Sequence, residues 1–115
     1  MSNIIIIGEA SMRQIKDEKI VTDVIMRLPH SILTKILKEV IFILLDGGGT
    51  LVELHKLPIK NSGVFLLFLR LGHSSIEVKM SFIVRAIAQF CIQSGYIEEG
   101  LNEEQILRKW GFTII

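Results

Sequence analysis

The sequence predicts an α+β domain in which a small three-stranded, mainly antiparallel sheet packs against one long central helix. Two observations predict this class. Residues 76–94 have the longest helical pattern in the chain, and most of their side chains are apolar. Residues 40–71 contain three short segments rich in branched and aromatic side chains, separated by turn residues. Two helices are predicted before the sheet and one short helix after the central helix, within a single domain of residues 1–115.

The N-terminal part of the chain predicts one extended segment and two helices. Residues 3–7 are an asparagine and four isoleucines, which favour a strand or a buried arm. Residues 17–27 place apolar side chains at helical spacing. A second helix is predicted over residues 29–39, because proline is tolerated in a first helical turn.

Three strands are predicted in the middle of the chain. Residues 40–45 are all apolar, which is typical of a strand covered on both faces. Residues 46–49, Asp-Gly-Gly-Gly, predict a turn, since glycine adopts positive φ at little cost. Residues 51–57 alternate and are expected to form the returning strand, and residues 64–71 form the third strand.

The central helix carries one polar stripe on an otherwise apolar surface. Its polar residues recur every four positions, which keeps them along one side of a helix. A helix this apolar is normally buried on most sides, so the stripe faces either solvent or a cleft. The stripe consists of Glu77, Ser81, Arg85, Gln89 and Gln93.

The C-terminal residues predict a short helix followed by an apolar tail. Residues 102–109 are helical in pattern, and Asn102 is a suitable N-cap. Trp110 and Phe112 follow the helix, with Gly111 between them. These aromatic side chains are expected either to anchor the last helix on the core or to form an interaction tail for a partner.

Composition excludes several functional classes. The net charge is +1, which gives no electrostatic reason to expect nucleic-acid binding. Cys91 is the only cysteine and cannot form an internal disulfide. No stretch approaches the ~20 apolar residues of a membrane span, and residues 1–7 lack the basic start of a signal peptide. A cytoplasmic protein without membrane association is therefore expected.

The order and spacing of these segments resemble the small zincin metallopeptidases known as minigluzincins. The similar features are Leu28-Pro29, a helix, the strand Val-Ile-Phe-Ile and the ending Trp-Gly-Phe. The resemblance implies a sheet followed by a helix with the zinc-binding HExxH motif, and then a helix with a glutamate ligand. Residues 81–90 take the place of the HExxH helix, and residues 102–112 take the place of the glutamate helix.

The key residues of that motif are absent. At the matching positions stand Arg85, which cannot ligate a cation, Ala86, which cannot act as a base, and Gln89, a poor zinc ligand. Only Glu103, with Glu104 as the alternative, retains ligand chemistry. We therefore expect no metal, no cofactor and no catalytic residue. We expect a relict cleft in which Arg85 pairs with one of these glutamates and Gln89 adds a hydrogen bond.

The resemblance implies a non-catalytic domain that binds or scaffolds a protein or peptide, and it leaves homo-oligomers open. The first alternative is a small regulatory protein of DNA-associated or toxin–antitoxin type, unrelated to peptidases. The second is an active hydrolase with an unrecognised site. The three histidines show no ligand spacing, and the glycine triplet lacks the lysine of a phosphate loop.

Overall fold

The computed structural model describes residues 4–6, 12–60, 62–97 and 100–113. Within these residues the chain forms four helices and one four-stranded mixed sheet, which confirms the α+β class. The strands are β1 (Ile4–Ile6), β2 (Val40–Leu44), β3 (Leu51–Lys56) and β4 (Phe65–Arg70). The helices are α1 (Met12–Met26), α2 (His30–Glu39), α3 (Ile76–Ser94) and α4 (Glu103–Lys109).

The strand order differs from the predicted one. The strand order is β1-β2-β4-β3. Strands β1, β2 and β4 are parallel to one another, and β3 is antiparallel to β4. The prediction of three mainly antiparallel strands is therefore wrong. It assumed that β2 and β3 pair because they are adjacent in sequence. The apolar β4 instead takes the position between them, and the more polar β3 forms an edge of the sheet, where polar side chains are tolerated.

The glycine-rich segment after β2 crosses the end of β4 instead of closing a hairpin. A Cβ atom at Gly72, which has a φ of 63°, would lie 3.1 Å from the carbonyl oxygen of Gly48. Arg70 Nε donates to the Gly49 carbonyl oxygen at 3.0 Å. This close backbone approach and the positive φ explain the glycine at position 72, and Gly47 has a φ of 136° that favours glycine, whereas a Cβ at Gly48 would meet no atom within 4 Å.

The described helices pack on one face of the sheet. Val40, Phe42 and Leu44 are buried, whereas Ile41 and Ile43 are only half-buried. Strand β4 alternates in the same way. Among the described residues, β2 is therefore fully covered on one face and only partly covered on the other, which differs from the expectation that residues 40–45 are covered on both. We call the other side the open face, and it carries Ile5, Ile41, Ile43, Leu66 and Phe68.

Helix α1 begins at Met12, five residues before the predicted start. The added turn contains Gln14, whose Nε2 donates to the Leu44 carbonyl oxygen at 3.3 Å. Asp17 is also buried and accepts a hydrogen bond from Lys79 Nζ at 2.7 Å. The pattern of apolar side chains missed this turn because its buried residues are polar. A lone lysine within an apolar helix is a signal for such a partner.

The remaining helix ends lie within one residue of the predicted ones. Ser75 Oγ accepts a hydrogen bond from the Val78 N–H at 3.3 Å, and Gly95 ends α3 with a φ of 72°. Asn102 and Gln105 form a reciprocal capping box at the start of α4. In the part of the chain that the structure describes, no helix is both long and apolar enough to cross a membrane.

Candidate functional site

An ion pair joins the middle of α3 to the first residue of α4. Arg85 Nη1 lies 2.6 Å from Glu103 Oε1. The two side chains are 28% and 25% exposed, so water reaches them only in part. A charge-assisted hydrogen bond of this length between half-buried groups is stronger than a contact on an open surface.

Two further side chains of α3 complete a network around this pair. Gln89 Nε2 donates to Glu103 Oε2 at 2.7 Å. Arg85 Nε donates to Ser81 Oγ at 3.2 Å. Both oxygens of the carboxylate therefore accept hydrogen bonds from residues four positions apart on one side of α3. We call Ser81, Arg85, Gln89 and Glu103 the α3–α4 network.

Helix phase determines that Glu103, and not Glu104, faces α3. Ile106 and Leu107 are buried and lie three and four residues after Glu103, on the same side of α4. Glu104 is exposed and lies away from that side. The Asn102 cap fixes where α4 begins and so fixes this phase.

The polar stripe of α3 is covered in its middle and open at its ends. Ser81 is 6% exposed, and Arg85 is half-buried. Glu77, Gln89 and Gln93 are exposed. The stripe therefore faces partly a closed junction between helices and partly solvent, which combines the two interpretations that the sequence left open.

A groove of about 170 Å³ begins beside Ser81. Arg27 and Glu77 supply one charge of each sign, and the Arg27 guanidinium lies 4.6 Å from the centre of the Phe112 ring. This groove can hold one apolar side chain between two charges. Its lining consists of Arg27, Glu77, Met80, Ser81, Val84, Phe112 and Thr113.

The α3–α4 network does not fit a zinc ion. Arg85 has only hydrogen-bond donors, and the amide nitrogen of Gln89 is directed at Glu103. Ala86 is buried and carries no base. Among the described residues, no group of three or more His, Cys, Asp or Glu side chains is placed to hold a metal ion.

The aromatic residues after α4 are packed on the domain. Phe112 is 7% exposed and belongs to the core, and Trp110 is half-buried against it. The Phe112 N–H donates to the Leu107 carbonyl oxygen at 3.0 Å, with Gly111 at a φ of 83°. This packing favours the anchoring alternative for Trp110 and Phe112, whereas an interaction tail that contacts a partner stays a prediction. Residues 114–115 lie outside the described residues.

Sequence reasoning missed a second polar cluster, where α2 meets the end of α3. Tyr96 donates from its hydroxyl to Glu39 Oε1 at 2.6 Å, and Lys35 Nζ lies 4.1 Å from the centre of the tyrosine ring. This hydrogen bond to Glu39, aided by burial, raises the pKa of Tyr96 to about 12. Burial, with a smaller contribution from Glu39, raises the pKa of the nearby Cys91 thiol to about 12. No spacing rule in the sequence links these residues.

Comparison with protein-family models, with curated proteins and with solved structures finds no significant match. The chemistry of the site therefore rests on its own geometry. In the α3–α4 network a guanidinium neutralises a carboxylate, and an amide saturates the remaining oxygen. Such an arrangement can hold α4 against α3. It presents no activated nucleophile and no unpaired carboxylate that could act as a base.

Proposed function

We propose that this chain is a non-catalytic domain that binds a protein or peptide and is built on a degenerate small metallopeptidase-like fold. One observation supports the proposal most. Arg85 and Gln89, four residues apart on α3, converge on the single carboxylate of Glu103 on the next helix. Two histidines at this spacing and a glutamate from a later helix are the zinc ligands that the resemblance implies.

Charge explains why an arginine suits this position. A carboxylate that is only 25% exposed is costly to desolvate unless a positive group lies beside it. Zinc would supply that charge in an active relative. Arg85 supplies it here through a planar guanidinium that fits a carboxylate. The loss of metal chemistry therefore leaves the helix junction neutral and hydrogen-bonded.

The edge strand β3 is the surface that we propose for the partner. It pairs with β4 and with no other strand in the part of the chain that the structure describes. An extended peptide can add to such an edge through backbone hydrogen bonds, which requires no catalytic residue. Val52 on this strand is 37% exposed, so the edge is accessible.

A peptide-display selection tests this function. The purified chain should enrich extended peptides, and Leu54→Pro should abolish their binding because proline has no N–H to donate to a peptide. Leu54→Ala is the matched control, since it shortens the same side chain but keeps the N–H. Equal binding by both variants, or cleavage of the selected peptides that a chelator prevents, would contradict the proposal.

A further inference from the structure

The hydrogen bonds of β3 establish which of its backbone groups point away from the sheet. The Leu57 N–H donates to the Val64 carbonyl oxygen at 2.8 Å. Hydrogen-bonded residues alternate along an antiparallel pair. Glu53 and His55 therefore direct their backbone groups at β4, and Val52, Leu54 and Lys56 direct theirs outward. Unpaired backbone groups along a strand edge are a template for another strand.

This alternation restricts how a second copy of β3 can pair with the first. In an antiparallel pair of identical edges, the outward residues Val52, Leu54 and Lys56 must lie opposite one another. A two-fold axis at Leu54 places Leu54 opposite the partner's Leu54 and Val52 opposite the partner's Lys56. An axis at Glu53 would place two carboxylates opposite each other, which is destabilising.

Of these registers, only the one centred on Leu54 places a hydrogen-bond donor opposite each Glu53 carboxylate. It places Glu53 opposite the partner's His55, twice because of the two-fold symmetry. These are non-hydrogen-bonded pairs, in which side chains approach most closely. An imidazole N–H can donate to a carboxylate in either protonation state. Glu53 and His55 are 52% and 57% exposed, and within one chain His55 Nε2 lies 3.9 Å from Glu53 Oε1. The proposed pairing exchanges this long contact for one with the partner.

We propose that β3 pairs with β3 of a second copy in this register, which joins the two sheets into one across a two-fold axis. This pairing uses the same β3 edge as the proposed peptide binding, but it does not require that the chain lacks catalytic activity. The dimer and a bound peptide would compete for the same backbone groups. Because a single strand edge buries less than the roughly 1,200 Å² of a standard interface, the dimer should be weak and depend on concentration.

Sedimentation equilibrium across about 10 µM to about 1 mM protein tests the pairing without any peptide. The parent chain should dimerise. His55→Glu places like charges at both symmetric positions and should weaken the dimer by about tenfold. Adding Glu53→Lys to that variant places opposite charges at both positions and should restore the dimer. The control is Lys38→Gln at an exposed position of α2, which lowers the net charge by the same amount as His55→Glu and should not change dimerisation.

Amide hydrogen exchange of the parent chain tests the register without any substitution. The amides of Val52, Leu54 and Lys56 should gain protection as the protein concentration rises. Those of Glu53 and His55, which already bond to β4, should not change. The proposal would be overturned if the parent chain stays monomeric at every concentration, or if it dimerises with the same affinity as both charge variants. Either result leaves the peptide-display outcome to decide the proposed function separately.

Discussion

Lys79 Nζ lies 2.7 Å from Asp17 Oδ1, and the pair joins the middle of α1 to the start of α3. The two side chains are only 11% and 6% exposed. In such surroundings either charge alone is strongly unfavourable, whereas the two together are tolerated. This pair therefore fixes the position of α3, the helix that supplies three members of the α3–α4 network.

Removing one partner of this pair should destabilise the domain more than replacing both partners with apolar residues. Lys79→Met leaves a buried carboxylate without a partner and should lower the free energy of unfolding by ~3–5 kcal/mol. Combining Lys79→Met with Asp17→Leu should recover most of that loss. Urea unfolding gives the free energy of unfolding of the parent, the single variant and the double variant. The exposed control Lys16→Met should stay within ~0.5 kcal/mol of the parent, and equal losses in the single and double variants would contradict the account.

Tyr96 should titrate at unusually high pH. Its pKa of about 12, raised chiefly by the hydrogen bond to Glu39, can be followed by absorbance because the chain has no other tyrosine. Glu39→Gln should move the midpoint toward the ordinary value of 10.0. Because the folded pKa is raised, the contribution to stability is complete below pH 10 and is lost as the pH rises toward 12. A parent midpoint near 10 would show that the hydrogen bond is not formed.

The Cys91 thiol should be unreactive in the folded protein. Burial raises its pKa to about 12, so almost no thiolate is present at neutral pH. A thiol reagent at pH 8 should modify it only as fast as the domain opens, and in denaturant it should react at once. The matched comparison is a cysteine introduced at exposed Thr50 in a Cys91→Ser background. Equal labelling rates at the two positions would contradict the buried placement.

The two aromatic residues after α4 should contribute unequally to stability. Phe112→Ala removes a ring that is 7% exposed and should lower the free energy of unfolding by about 3 kcal/mol. Trp110→Ala should cost less, because the indole is half-buried, yet still lower the melting temperature by several degrees. Calorimetry of both variants shows which substitution lowers the melting temperature more. A Trp110→Ala variant that melts like the parent would show that the indole does not anchor α4.

The elements of this fold could be predicted from local sequence, but their arrangement in the sheet could not. Helix α3 occupies the predicted residues 76–94, since helical periodicity and the Ser75 and Gly95 caps act within one segment. The insertion of β4 between β2 and β3 depends on burial of residues far apart in the sequence. The glycine triplet suggested a hairpin, but the segment instead crosses the end of β4, where a Cβ atom at Gly72 would lie 3.1 Å from the Gly48 carbonyl oxygen.

The candidate site was predictable only where helix spacing determines it. Arg85 and Gln89 share one side of α3 by spacing alone, and the structure brings Glu103 to both. The choice between Glu103 and Glu104 required the phase of α4, which the Asn102 cap sets. The contacts of Tyr96 with Glu39 and of Lys79 with Asp17 join separate elements. A lone lysine in an apolar helix indicates that a partner exists, but no local pattern identifies either acceptor.

Zinc binding by a redesigned α3 tests the central claim most directly, namely that Arg85 and Gln89 occupy the positions of zinc ligands beside Glu103. The double variant Arg85→His and Gln89→His places two imidazoles beside that carboxylate, and it keeps Ala86 because a glutamate there would be buried. Isothermal titration should show one Zn²⁺ bound per chain of this variant and none bound by the parent. Glu103→Gln in the same background should weaken that binding sharply. A folded double variant that does not bind Zn²⁺, or a parent chain that binds one Zn²⁺ per chain, would contradict the account.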